Sequence, residues 1–267
     1  MTITRLLGCV LPLAAALAAQ NNQLTPQEKK EGWVLLFDGK TFNGWEDPAK
    51  KSPPGDSYSL ADGCLKAKKS PRFNEDLFTA ARYGDFELQF DWRISVAGNS
   101  GVKFRIQDRI WIKDVKGMKF EDTVALAYRN RSDQRPERGQ QYVVGFEYQC
   151  IDNDQHPDGR RGGSHASGAL YDIVAPTVQA AKPVGEFNLS RLVVRGSHVE
   201  QWLNGVKVVD TDLKGPAVAE SAAKRWGKDS AVYKLLVEQP AREGLISLQN
   251  HNDEAWFRNL KIKRFSR

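Results

Sequence analysis

The sequence predicts an all-β protein: an antiparallel β-sandwich with a few short helices confined to insertions. Three observations predict it. In residues 84–95, Phe86, Leu88, Phe90, Trp92 and Ile94 alternate with Glu87, Gln89, Asp91 and Arg93, the period of a strand with one apolar face. Similar runs recur at 101–107, 141–151, 190–203, 244–251 and 256–265, and Asn204-Gly205 sits between two apolar runs as a hairpin turn. No helical periodicity is regularly interposed, which argues against a parallel α/β sheet.

Taken in order, the first residues are a processing signal rather than structure. A short positive stretch ending at Arg5 precedes an apolar run over 6–17 and the small-residue site Ala16-Leu17-Ala18. Residues 1–18 therefore read as a signal peptide cleaved near Ala18, and the mature protein is expected to be secreted or periplasmic. The apolar run is too short to span a membrane. Leu6-Leu7-Gly8-Cys9 resembles a lipidation box, but the apolar stretch before it is only a few residues long. Residues 19–30 are polar and read as a flexible tether. The remainder, 31–267, shows no repeat, linker or low-complexity tract and reads as one domain.

Composition narrows the partners. With 40% hydrophobic and 27% charged residues the chain is neither disordered nor a disulfide scaffold. Its 39 Lys+Arg against 33 Asp+Glu leave a formal +6 that is spread rather than clustered, so no nucleic-acid partner is expected. Cys64 and Cys150 remain after cleavage. They could form one bridge, although Cys150 in an alternating run reads more simply as a small buried hydrophobe.

Two stretches interrupt the strands. Residues 108–140, with Arg129, Arg131, Arg135 and Arg138, read as a long surface excursion. Residues 217–237 read as one or two short helices. A loop of that length inside a compact domain is more often functional than decorative.

Alternation also sorts the polar residues. If Phe146, Tyr148 and Cys150 face the core, Glu147 and Gln149 project together on the other face, about 7 Å apart. The same logic places Lys103 and Arg105 opposite Val102, Phe104 and Ile106, and Gln249 and His251 opposite Leu248. Asp152, Asp154 and His156 could surround a divalent cation if their loop curls, against the simpler reading of an Asx/Pro/Gly turn. His165, among glycines and serines, reads as a mobile loop residue, and His198 beside Glu200 as a surface pair. Trp45, Trp111 and Trp226 are candidates for stacking on sugar rings, whereas Trp92 reads as core. No Gly-x-Ser-x-Gly elbow is present, so serine hydrolase chemistry is set aside.

The opening Gly32-Trp33-Val34-Leu35-Leu36-Phe37-Asp38-Gly39-Lys40, with Asn43-Gly44-Trp45, resembles the start of the 3-keto-disaccharide hydrolase family. The resemblance continues through 99–105, 145–149, 168–172, 199–205, 248–251 and 257–262, in the family's order. It implies a concanavalin-A-like jelly roll with a sugar-sized groove on its concave side, and action on small-molecule or oligosaccharide glycosides oxidised at C3. A 3-keto group acidifies the C2 hydrogen, so a base can expel the C1 substituent by elimination, and water then adds to the enone. The site needs a base, an acid and an enolate stabiliser. Glu147 and His251 are the expected base and acid, with Arg105 or a bound cation at the enolate. Gln149, Lys103, Asn99, Tyr171 and Gln249 are expected to bind substrate, and Asp152 to orient hydroxyls or a metal. Departures are Asn250, where the closing motif often has Asp, and the long 108–140 excursion. The alternatives are a non-catalytic carbohydrate-binding module and an ordinary two-carboxylate glycosidase using Glu147 with Asp152 or Glu87.

Overall fold

The computed structural model describes residues 20–265 apart from 54, 114, 133 and 138, and the expected signal peptide lies outside that range. In chain order the strands are β1 (Trp33–Leu35), β2 (Trp45–Glu46), β3 (Tyr58–Ala61), β4 (Cys64–Ala67), β5 (Leu77–Thr79), β6 (Phe86–Ile94) and β7 (Asn99–Ile112). There follow β8 (Gln140–Ile151), β9 (Asn188–Arg195), β10 (His198–Leu203), β11 (Val206–Asp212), β12 (Leu245–Leu248) and β13 (Ala255–Arg264). The helices are α1 (Pro26–Lys30), α2 (Phe120–Arg129), α3 (Pro216–Trp226) and α4 (Ala231–Tyr233), the last running into a π-turn over Lys234–Glu238.

Among the described residues the strands form two antiparallel sheets in a jelly-roll-like sandwich. The eight-stranded sheet runs β11-β10-β9-β6-β13-β4-β3, with β1 paired to the carboxy-terminal half of β13. The five-stranded sheet runs β2-β5-β12-β7-β8. The core is the apolar half of each alternating run: Phe86, Leu88, Phe90 and Trp92 of β6 meet Val102, Phe104, Phe146 and Tyr148 of β7 and β8. Phe90 packs edge-on against Tyr148 with ring centroids 5.4 Å apart. The few polar atoms in this layer are satisfied in series. Trp92 Nε1 donates to Ser190 Oγ (2.9 Å), Ser190 to the Tyr148 hydroxyl (2.8 Å), and Tyr148 to the Trp202 carbonyl (3.0 Å). That chain joins the two sheets, as buried polar groups require. No helix among the described residues is long and apolar enough to cross a membrane.

The tether expected over 19–30 is instead tied down where it is described. Thr25 and Glu28 form a reciprocal capping box that starts α1 at Pro26. Glu28 pairs with Lys261 of β13, and buried Asn22 exchanges hydrogen bonds with Asn259 and donates to the Gly63 carbonyl. These contacts are long-range, so polarity in the sequence could not show them.

The 108–140 excursion is shorter than expected, because β7 runs on to Ile112 and α2 fills part of the remainder. Asp108 holds it down, accepting both guanidinium nitrogens of Arg131 (2.7 and 2.8 Å) and the Tyr128 hydroxyl (3.1 Å). Arg135 adds an ion pair to buried Glu75 at 3.4 Å. The excursion and α3 thereby come to rest over the outer face of the five-stranded sheet.

Candidate active site

That outer face is the floor of a cleft of about 480 Å³, roofed by Phe120 and Glu121 of α2 and by Ala222, Arg225 and Trp226 of α3. Strand alternation puts Glu147 and Gln149 of β8 into it, and the β7–β8 register sets Lys103 directly across from Glu147 and Gly101 across from Gln149. Gly101 is a steric necessity. A Cβ there would lie 2.3 Å from Glu147 Oε1, so only glycine lets the carboxylate fold over the neighbouring strand. The Gln149 amide, oriented with its nitrogen toward Glu147, donates to Oε1 at 3.2 Å and to the Ser100 carbonyl at 3.1 Å. Gln249 Nε2 makes a longer contact with Oε2 at 3.5 Å.

The electrostatics separate the two principal groups. Burial pushes the Glu147 carboxyl up to about 7, against the pull of Lys103. The desolvating walls of the cleft around the partly exposed ring, with His156 and the Lys103 ammonium nearby, push the His251 imidazole down to about 4. The ring still meets solvent at the cleft mouth, and it is neutral at pH 7. His251 packs edge-on to His156 with centroids 6.0 Å apart. His156, His251 and Asp253 bring one ligand atom each to within 4.8 Å of one another. Asp253 accepts the Asn99 backbone N–H at 3.2 Å, while the buried Asn99 Oδ1 has no partner.

Several cleft residues escaped the sequence reading. Asp76, fully buried, bridges Lys103 Nζ (3.3 Å) and the Ser247 hydroxyl (3.0 Å), and burial raises its carboxyl despite both. Asp158 accepts from the Tyr171 hydroxyl (2.7 Å) and from Arg161 (2.7 Å). Burial opposes its ionisation, but those two bonds and nearby His165 hold its carboxyl below the ordinary value. Arg225 spans Asp172 (3.0 Å) and Glu121 (3.4 Å) across the roof. Among the cleft residues that the sequence missed, only Asp253 lay close in sequence to a candidate, two residues after His251 across a bend at Asn252. Asp76, Asp158 and Arg225 depend on pairings across 13 to 104 positions of chain that no local pattern encodes.

Other expectations fail for identifiable reasons. Arg105 does not face the cleft. β7 carries a bulge between Phe104 and Asp108, and Arg105 sits in it at φ +51°, so alternation breaks where the sequence still looks regular. Its buried guanidinium instead binds Asp85 (3.2 Å) and the carbonyls of Gly196 (2.9 Å) and Ala241 (3.3 Å). Arg105→Ala is therefore expected to lower stability by about 2–3 kcal/mol while leaving turnover per folded molecule within ~3-fold. Chemical denaturation beside active-site titration checks this.

The Asp152–Asp154–His156 cation site does not form either. Asp152 caps its own loop, accepting backbone N–H groups of Ala97 (2.8 Å), Asp154 (3.0 Å) and Gln155 (3.1 Å), and Asp154 points into solvent on another side. Only His156 reaches the cleft, where its companions are His251 and Asp253. The other such group, His198 with Glu200 and Asp210, lies on β10 and β11 with Lys207 bonded to both carboxylates. His165 is buried against Tyr171 rather than mobile. Of the three candidate stacking tryptophans, Trp45 is core and donates to the Leu36 carbonyl at 2.6 Å, Trp111 packs edge-on to Phe73 away from the cleft, and only Trp226 lines it. Glu87 is held by Arg191 on the other sheet. Cys64 and Cys150 are buried, unbridged thiols. Asn250 is structural, donating to the carbonyls of Ser57 (2.8 Å) and Lys68 (3.1 Å).

The raised carboxyl has a consequence for stability. Between pH 4.5 and about 7 the folded state keeps the Glu147 proton while the unfolded chain releases it, so stability falls as pH rises through that window. Glu147→Gln removes this penalty. At pH 8 the variant is expected to exceed the parent by about 2–3 kcal/mol, with the gap closing by about pH 4. Urea unfolding at both pH values checks it, and a variant less stable at pH 8 would contradict the assignment.

Comparisons with known proteins identify the family and the fold. The 3-keto-alpha-glucoside-1,2-lyase-like domain matches residues 32–263. A 3-keto-disaccharide hydrolase of Bacteroides thetaiotaomicron is 30% identical over 259 residues, covering 92% of this chain and 83% of that one. Two crystal structures of candidate glycosyl hydrolases from Parabacteroides distasonis share the fold. One has TM-score 0.66 at 24% identity, covering 92% of this chain and all of its own, and the other 0.55 at 23%, covering 87% and 99%. With nearly its whole described length matched, the chain belongs to the 3-keto-α-glucoside-1,2-lyase-like family and is an enzyme of glycosidase-like character.

Proposed function

We propose that this protein cleaves 3-keto-glycosides by abstracting the C2 proton and expelling the C1 substituent, with water then adding to the enone. The observation that carries the reading is Glu147, a carboxyl at about 7 with no cationic partner in bonding distance among the described residues, set in the cleft near a neutral imidazole. A base poised near neutral pH is what proton abstraction needs. The other carboxylates lining the cleft are committed: Asp76 to Lys103 and Ser247, Asp158 to Tyr171 and Arg161, Asp172 and Glu121 to Arg225. One available carboxyl suits elimination better than the paired-carboxylate mechanism of ordinary glycosidases. The cleft aromatics Phe120, Tyr142 and Trp226 pack on one another rather than forming an open platform, which speaks against a binding module.

Two features stand ready for the enolate. Lys103, across from Glu147 in the β7–β8 register, lines the cleft with its ammonium paired to Asp76. His156, His251 and Asp253 offer two imidazoles and a carboxylate, the donor set of a divalent site with open positions. A divalent cation held there would polarise the 3-keto oxygen and stabilise the developing charge. Gln149 and Gln249 keep Glu147 aimed, and the roof formed by α2 and α3 limits water access. The leader over 1–18 supports a secreted or periplasmic setting, which amino-terminal sequencing of exported protein would check.

The test is to incubate the mature protein with matched glycosides and 3-keto-glycosides and follow aglycone release with and without chelator. Release from the keto substrates alone, lost on chelation and restored by a divalent metal, is the expected result. Equal release from the unoxidised glycosides would overturn the reading.

A further inference from the structure

Elimination needs a proton donor for the departing oxygen as well as a base, and most protonated groups of the cleft are engaged elsewhere. The His251 imidazole is neutral at pH 7, so it cannot act as an imidazolium acid. The Lys103 ammonium is paired to Asp76 at 3.3 Å, and Arg225 is tied to Asp172 and Glu121. The Tyr171 hydroxyl already donates to Asp158 at 2.7 Å. Tyr142 differs from all of these. It lies on β8 five residues before Glu147 and lines the same cleft. Its hydroxyl makes no hydrogen bond with the described residues and stays open to the cleft. Burial pushes that hydroxyl above the ordinary phenol range, toward an aliphatic alcohol, and Arg225 is the charge that favours its phenolate. A donor close in acidity to the alcohol it releases passes its proton without a steep uphill step.

We infer that Tyr142 is the acid that protonates the leaving oxygen at C1, with the Arg225 guanidinium holding the phenolate that results. The inference rests on the elimination reading above and supplies its missing proton donor. Glu147 takes the C2 proton, and the C2–H electron pair moves into the 3-keto group as an enolate. That pair then forms the C1=C2 bond as the C1–O bond breaks, and the Tyr142 proton passes to the departing oxygen. In the hydration step a water oxygen bonds to C1 and its proton goes to the phenolate. Glu147 returns its proton to C2, so both side chains end as they began. The ring is held for this task. Phe120 meets it edge-on at 5.4 Å and Trp226 packs on it at 5.5 Å, so the direction of the hydroxyl is fixed before substrate arrives. Arg225 is fixed in turn by its stack on Trp226 at 4.7 Å.

Tyr142→Phe tests it, because the variant keeps the ring and its contacts and loses only the hydroxyl. Parent and variant are compared on methyl 3-keto-glucoside, which releases a basic alkoxide, and on 4-nitrophenyl 3-keto-glucoside, whose phenolate leaves without a proton. In the variant kcat/KM should fall at least ~10²-fold on the methyl substrate and less than ~3-fold on the nitrophenyl substrate. Exchange of the C2 hydrogen in deuterium oxide, followed by proton NMR on the methyl substrate, should persist, since Glu147 is untouched. Equal losses on both substrates, no loss on either, or loss of the exchange would overturn the assignment. The matching unoxidised glycosides separate this result from failure of the elimination reading. If the parent cleaves them as readily as the keto substrates, that reading falls by itself. A loss confined to the methyl glycoside in Tyr142→Phe then still supports Tyr142 as the acid, and a uniform loss removes it.

Discussion

Glu147→Gln is expected to lower turnover of a 3-keto-glycoside by ~10²–10⁴-fold while substrate affinity changes little. The amide keeps the shape, and its single carbonyl oxygen can accept from Gln149 or Gln249 but not from both, and it cannot take a proton. The pH profile should change with it. Glu147 must be ionised to act as base, so kcat/KM of the parent rises with pH through a limb near 7. The variant's residual rate should lack that limb. If Glu147 merely oriented a hydroxyl, rate and affinity would both shift by only ~1 kcal/mol and the limb would persist. Parental turnover in the variant, on a substrate the parent cleaves, removes Glu147 from the mechanism.

His251→Ala should cost at least ~10²-fold in turnover with little loss of stability. The ring sits at the solvent-touched mouth of the cleft, and its contact with His156 is edge-on at 6.0 Å, so truncation leaves a hydrated gap rather than a core cavity. Loss of one of three donors should also weaken retention of a divalent metal, measured by dialysis and elemental analysis of parent and variant. Substrate with a ready leaving group should not rescue the variant, because its defect lies at the enolate. Unchanged turnover and unchanged metal content together would move His251 to a structural role.

How much of this was legible depended on whether the deciding contact was local. The faces of β6 and β8 follow from period-two alternation. Phe86 to Ile94 therefore went to the core, and Glu147 with Gln149 to one outer face. Lys103 followed by the same rule, since the register of β7 is regular up to Phe104. One residue later the rule failed. The bulge rotates Arg105 out of the pattern, and its traces in the sequence are Gly145, where a Cβ would lie 2.9 Å from the Phe104 carbonyl, and Gly244, where one would lie 2.5 Å from the Ile106 nitrogen. Asp152 failed differently, since an aspartate that caps its own loop and one that binds a metal look alike until the backbone path is known.

By itself, then, the sequence determined the all-β sandwich, its family and the strand that carries Glu147. Alternation, turn residues and ordered motifs act over a few residues and survive without a partner. Only the tertiary structure decided that His156 and Asp253 join His251, that Asp76 sits behind Lys103, and that α2 and α3 close over the floor. His156 reaches His251 across 95 residues of chain, Asp76 reaches Lys103 of β7 from just before β5, and α2 and α3 reach β8 from outside the sheet. Their chemistry arises from burial: Glu147 has an ordinary carboxyl until the fold takes its water away, and only then does it become a base near pH 7.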